Sequence, residues 1–156
     1  GKKPLVGIHP FGSGFANSTY KSFNLPDKNI PENIILETIK SDHNYIIFGT
    51  EKEFSSFKLP PQKNIFYTNH CIETCLELVS RCEKFLGSDS CFKTMSSMSR
   101  ISTVCLVGNF EDPTRDFYFI EQYQKDGVLH PCKVSNFDNQ KEQVVDEINK
   151  YLYDTV

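Results

Sequence analysis

Between Gly87 and Lys93 the chain reads GSDSCFK, an acid set between two hydroxyls and followed by small and apolar residues. The chemistry such a set offers is recognition of an anion beside hydroxyl groups. Ser90 is of the type that caps a helix, and Cys91, Phe92 and Lys93 then fall in a first turn whose backbone N–H groups have no intrahelical acceptor. Those amides and the helix dipole make an anion seat, to which the Lys93 ammonium could add a charge. A carboxylate facing the same anion would be repelled. Asp89 is therefore expected to turn toward hydroxyls or loop amides, and an Asn in its place is expected to leave the fold intact. The plain alternative is an ordinary helix cap next to a solvated acid.

For a corner like this to bind anything, the surrounding elements must bring other groups to the same edge. Continuous apolar runs at 5–9, 44–50, 64–69, 84–87, 102–109 and 127–134 read as strands. Helical patterns at 31–41, 72–82, 91–99 and 139–154 lie between or after them, and 113–124 reads as irregular or a short helix. Strands that are apolar throughout and alternate with helices predict an α/β fold, a Rossmann-like parallel sheet of about six strands with helices on both faces. Ligands of such sheets bind beyond the carboxyl ends of the strands, near the point where strand order reverses. The segments there are His9-Pro10 with the loop carrying Gly12 and Ser13, then Gly49-Thr50-Glu51, Thr68-Asn69-His70, Ser88-Asp89-Ser90 and Gly108-Asn109. Each alone reads as a turn; their convergence on one edge reads as a site. No complete GxGxxG or GxxxxGK[ST] is present, which disfavours a nicotinamide site and a P-loop.

The 156 residues fit one domain with a real core, and a net charge of -3 without a basic run argues against nucleic acid as a partner. No apolar run is long enough to predict a transmembrane segment, and the start GKKPLVGIHP carries no signal-peptide pattern. The six cysteines, at 71, 75, 82, 91, 105 and 132, show no CxxC knuckle and no paired histidine spacing, so they read as reduced, packed thiols of a cytoplasmic protein with no metal site. Asn17-Ser18-Thr19 matches a glycosylation sequon and reads as chance in that setting.

The segments VGIHPFGSG with YKSF, IIFGTEKE, and CIETCLELVSRCEKFLGSDSCFKTMSSMSRISTVCLVGNFEDP, taken in order, resemble the C-terminal half of the heptosyltransferase-type glycosyltransferases, family 9 of the GT-B fold. The corresponding residues are His9-Pro10, Lys21 with Phe23, Gly49 with Glu51 or Glu53, Asp89-Ser90, and Gly108 with Pro113, spread over residues 4–135. The resemblance implies one half of a GT-B enzyme that binds a nucleotide sugar, an ADP-sugar by preference, with no cofactor and no metal. It implies that Lys21 pairs with the diphosphate, Glu51 holds the ribose hydroxyls, Asp89 contacts the sugar, and the amides from Ser90 to Phe92 take the phosphates. The catalytic base and the acceptor site of that family lie in an N-terminal half, expected to be missing here. The chain then reads as a piece of a longer inverting transferase, binding its donor without turning it over.

Two departures bear on that reading. The family glycine after Asp-Ser or Asp-Thr is Cys91, and its histidine is Thr94. A Cβ at the first position restricts backbone approach to a phosphate. They favour the competing expectation of a non-catalytic GT-B-like module that binds a nucleotide or a protein on this face. A phosphatase-like use of Asp89 as nucleophile is weaker, since it wants a DxD at a first strand and only SDS is found, at the fourth.

Overall fold

The computed structural model describes residues 1–12, 29–108 and 118–153. Six strands form one sheet: β1 (Leu5–His9), β2 (Asn44–Phe48), β3 (Ile65–Thr68), β4 (Lys84–Ser88), β5 (Ser102–Gly108) and β6 (Leu129–Val134). Between and after them run α1 (Glu32–Thr38), α2 (Glu51–Ser56), α3 (Ile72–Ser80), α4 (Cys91–Met98), α5 (Tyr118–Lys125) and α6 (Phe137–Tyr153). The strand order is β3-β2-β1-β4-β5-β6 and every pairing is parallel. The first three strands are laid down outward from β1, and the chain then returns to its other side for β4. Strand order therefore reverses between β1 and β4, where Val6 pairs with Lys84 and His9 with Gly87.

Alternation along each strand divides the core. Val6 and Ile8 of β1, Tyr45 and Ile47 of β2 and Leu86 of β4 join Ile34 and Ile35 of α1 and Val144 and Ile148 of α6 in the larger apolar cluster. The opposite face carries Phe48 and Phe85 beneath Cys75 and Val79 of α3 and Phe92 of α4. Gly7 lies on this second face because a Cβ there would stand 2.6 Å from the Phe85 ring. Where β1 and β4 are adjacent, only hydrogen leaves room for the phenyl group.

Three local features refine the expected elements. The segment after β2 is a helix rather than merely a charged run. Its start, α2, is fixed by a capping box in which Thr50 Oγ1 accepts from the Glu53 amide at 3.1 Å and Glu53 Oε1 accepts from the Thr50 amide at 2.9 Å. The stretch expected to be irregular or a short helix ends in the helix α5, Tyr118–Lys125, closed by Gly127 at φ 73°. That left-handed residue delays β6 to Leu129. No helix among the described residues is long and apolar enough to cross a membrane.

Candidate functional site

The site is built at the strand reversal. β4 ends at Ser88, Asp89 turns the chain, and Ser90 caps α4 with its hydroxyl accepting from the Phe92 amide at 3.2 Å. The same hydroxyl meets His9 Nδ1 at 2.9 Å, so the end of β1 is tied to the start of α4. His9 stacks on Phe92 with ring centroids 4.1 Å apart, and Phe92 lies against Phe48 at 5.1 Å. Burial holds the His9 imidazole down to a pKa of about 4, so it stays neutral and supplies shape and a hydrogen bond rather than charge.

The helix cap changes what the corner can offer an anion. The Phe92 amide is already bonded to Ser90. Cys91, the first helical residue and exposed, has an amide that the helix itself does not satisfy. The seat is thus narrower than three open amides.

Asp89 is ion-paired with Lys93, one turn further along α4. Lys93 is buried, and its charge and that of Asp89 both act on the thiol of Cys105 in β5. The reason is the rotation of α4, which buries Phe92, Lys93, Ser96 and Ser97 while Met98 is 63% exposed. The two serines let the helix sit close to the sheet, where Ser96 Oγ meets Thr103 Oγ1 at 2.7 Å and donates to the Lys93 carbonyl at 3.0 Å. Lys93 is carried inward with them, and Asp89 balances its charge. An Asn at position 89 would remove that balance.

The other residues singled out in the sequence fall into three groups. His9, Asp89, Ser90, Cys91, Phe92 and Lys93 come together at the β1–β4 reversal. Gly12 follows β1 with its amide donating to Asn29 Oδ1 at 3.0 Å, and Gly49 answers a packing need, since a Cβ there would stand 2.6 Å from the Phe11 ring. Glu51 is exposed at the start of α2, beyond β2, and Glu53, the alternative acid, is turned into the cap. Asn69 is exposed beyond β3, the outermost strand, about 12 Å from the reversal at the usual strand spacing. Ser13 and Lys21 lie outside the described residues.

The sequence groups Ser88 with Asp89 and Ser90 at the strand end, with no role of its own. Its hydroxyl, at the last position of β4, is buried and finds no hydrogen-bond partner among the described residues. Polar residues closing an otherwise apolar strand were the available signal. Among the described residues no group of three or more His, Cys, Asp or Glu side chains is placed to share a metal ion.

Comparison of the whole fold points one way. The ADP-heptose LPS heptosyltransferase II of E. coli superposes with a TM-score of 0.63 at 17% identity, over 96% of this chain and 46% of that one. A glycosyl transferase of family 9 from Veillonella parvula DSM 2008 gives 0.55 at 15% identity, over 99% of this chain and 40% of that one. The glycotransferase of kitacinnamycin gives 0.53 at 12%, over 94% and 35%. The chain spans less than half the length of each. No family model matches the sequence, and no curated protein does. The six-stranded parallel sheet is similar in fold to one half of these glycosyltransferases.

Proposed function

We propose that this chain is the donor-binding domain of an inverting, metal-independent glycosyltransferase, and that its ligand is a nucleoside diphosphate sugar with ADP as the favoured nucleotide. The observation that carries the reading is the β4–α4 corner: a helix N-terminus with the Cys91 amide at the strand reversal of a GT-B-type sheet, next to an acid. Sugar transfer needs a stabilised diphosphate leaving group, and fixed amides with a cation supply that stabilisation without a metal. In this reading the Cys91 amide and Lys21 hold the diphosphate, and Gly12 and Ser13 belong to the same donor site. Glu51, the acid left over once Glu53 is in its cap, accepts from the ribose hydroxyls. Asp89 offers the sugar whatever acceptor capacity its pairing with Lys93 leaves. His9 and Phe92 hold the corner in shape. Acceptor and catalytic base belong to a further domain, so this chain binds and does not turn over.

A thermal-shift panel of ADP-, GDP-, UDP- and CMP-sugars tests it. A ligand at 100 times its Kd adds about 2.7 kcal/mol, which for a domain of this size is roughly 5–10 °C in Tm. ADP-sugars are expected to give the largest shift, and a panel that moves nothing removes the proposal. Replacing Lys21 by Ala should weaken ADP and ADP-sugar alike by roughly 1.5–3 kcal/mol, as loss of a charge-assisted bond to phosphate would.

The Asp89–Lys93 pair favours a second reading. With Asp89 held by an internal cation, the domain could bind a nucleotide without reading a sugar, as a non-catalytic module. Calorimetry with ADP and with an ADP-sugar separates the two: equal affinities support the module, and a tighter sugar nucleotide supports the donor domain.

A further inference from the structure

The two outermost strands of the sheet have free edges of different kinds. Among the described residues β3 is bonded to β2 alone and β6 to β5 alone. On β6 the Val128 carbonyl accepts from the Thr103 amide at 2.8 Å, so alternation turns the backbone groups of positions 129, 131 and 133 outward. Two of those positions hold Pro131, which has no N–H to give, and Lys133, whose exposed charge discourages an approaching strand.

β3 carries neither device. The Asn64 and Thr68 carbonyls accept from the Tyr45 and Gly49 amides at 2.8 and 3.2 Å, so positions 65 and 67 turn their backbone groups outward. The Ile65 amide is taken by the Gln62 carbonyl at 3.3 Å. The Ile65 carbonyl and both polar groups of Tyr67 are left facing away from the sheet. Phe66 and Tyr67 are 52% and 48% exposed, and Ile65–Thr68 contains no charge and no proline. Phe66 shares the face of Ile46, under α3, while Tyr67 lies on the other face with its ring 5.3 Å from that of Phe54.

Charge decides which way a strand can lie along this edge. Exposed Lys63 stands just before β3, and exposed Glu73 lies past its end, in the first turn of α3. A second copy of β3 laid parallel sets lysine beside lysine and acid beside acid. Laid antiparallel about a two-fold axis, it turns each Lys63 toward the other copy's Glu73.

We propose that β3 is a self-association edge, through which two copies of this chain join antiparallel into one continuous sheet. Each Tyr67 N–H donates to the Tyr67 carbonyl of the other copy, and each Ile65 carbonyl accepts from the other's Asn69 amide. Phe66 then faces Thr68 across the junction, with the two Phe66 rings as diagonal neighbours on one face. The Tyr67 rings stand side by side on the other. The pair closes on itself, because Pro131 and Lys133 keep β6 from recruiting a third copy. Nothing in this inference depends on the donor-site reading.

Sedimentation velocity of the chain over a series of micromolar concentrations tests it, and twice the monomer mass is expected at the upper end. Tyr67→Pro removes the outward N–H without touching a bond to β2, and Phe66→Lys sets two cations near each other across the junction. Each should raise the dissociation constant by roughly tenfold or more. Phe66→Lys, at an exposed position, keeps the test standing if Tyr67→Pro fails to fold; the urea midpoint checks both. Lys63→Glu and Glu73→Lys should each weaken the pair, and the two together should restore it. Ile72→Ser with Leu76→Ser, at exposed apolar positions of α3, should leave it unchanged. A monomer throughout the series overturns the proposal, as does a dimer indifferent to the β3 substitutions. So do open-ended growth, a double charge reversal weaker than either single one, and a dimer lost with Ile72→Ser and Leu76→Ser instead.

Discussion

Asp89 and Lys93 show how one side chain's direction alters the meaning of its neighbour. Lysine in a first helical turn sits at the positive end of the dipole, and burial adds to that cost, so Asp89 stabilises the corner by its charge. Asp89→Asn is expected to lower the unfolding free energy by about 1–3 kcal/mol, below the range for fully buried pairs because Asp89 is partly exposed. Lys93→Met should recover most of the loss when added to it; urea unfolding of the two variants is the check, and an unaltered midpoint for Asp89→Asn would show that the pair is inert. His9 makes a second prediction. Its folded pKa of about 4 lies below the unfolded value of 6.5, so the unfolded chain binds the extra proton. The contribution is therefore complete above pH 6.5 and drains away as pH falls toward 4, by up to ~3 kcal/mol. Stability measured between pH 7 and pH 4 should fall less steeply in His9→Gln than in the unaltered chain. The N-cap at Ser90 was legible, because a polar residue between an apolar strand and a helix has few other uses. The inward course of Lys93 was not: Met95 and Met98 suggest an apolar stripe, whereas the hydroxyl of Thr103, on the next strand, meets Ser96 facing the sheet.

Two helix ends in this chain close by the same hydrogen-bond pattern with different residues at the crucial place. After α4, the Ile101 amide reaches the Ser96 carbonyl at 2.9 Å and the Arg100 amide reaches Ser97 at 3.0 Å, leaving Arg100 at φ 58°. After α5, the amides of Val128 and Gly127 reach Tyr123 and Gln124 in the same way, with Gly127 at φ 73°. A left-handed residue with a Cβ costs about 1 kcal/mol that glycine avoids. Arg100→Gly should raise stability by roughly 0.5–1 kcal/mol, since the exposed ion pair it loses with Asp126 contributes little. Gly127→Ala should lower stability by a similar amount; thermal unfolding of both variants decides, and equal signs would refute the argument. The capping box of α2 was written in the sequence as Thr50-x-x-Glu53, yet a helix of so few residues has no apolar period to reveal it. Thr50→Ala should cost about 1 kcal/mol and let Glu51 drift from its place beyond β2.

Across the whole molecule the sheet was the most legible part, because its strands read as short, mostly apolar runs that stand out from the amphipathic helices between them. Strand order was less so, since a sequence records succession and not adjacency. The reversal between β1 and β4 follows from which faces helices can cover, and it sets His9 against Ser90 across most of the chain's described length. The opposite edge of the sheet has its own closure, where Tyr45 and Tyr153 hydroxyls meet at 2.7 Å and Tyr153 donates to the Thr38 carbonyl, fastening the end of α6 to α1. The placement of β1 has a further consequence for how the chain reaches this structure. β1 comes first in the chain among the strands of this sheet and lies centrally within it: Val6 is paired with Tyr45 on one side and Lys84 on the other. On a ribosome it must wait, its second edge unsatisfied, until β4 has emerged. Pairings so remote in sequence raise the contact order and slow the search, so refolding from urea should take milliseconds to seconds rather than microseconds. In that interval the open edge of β1 is free to pair with another chain.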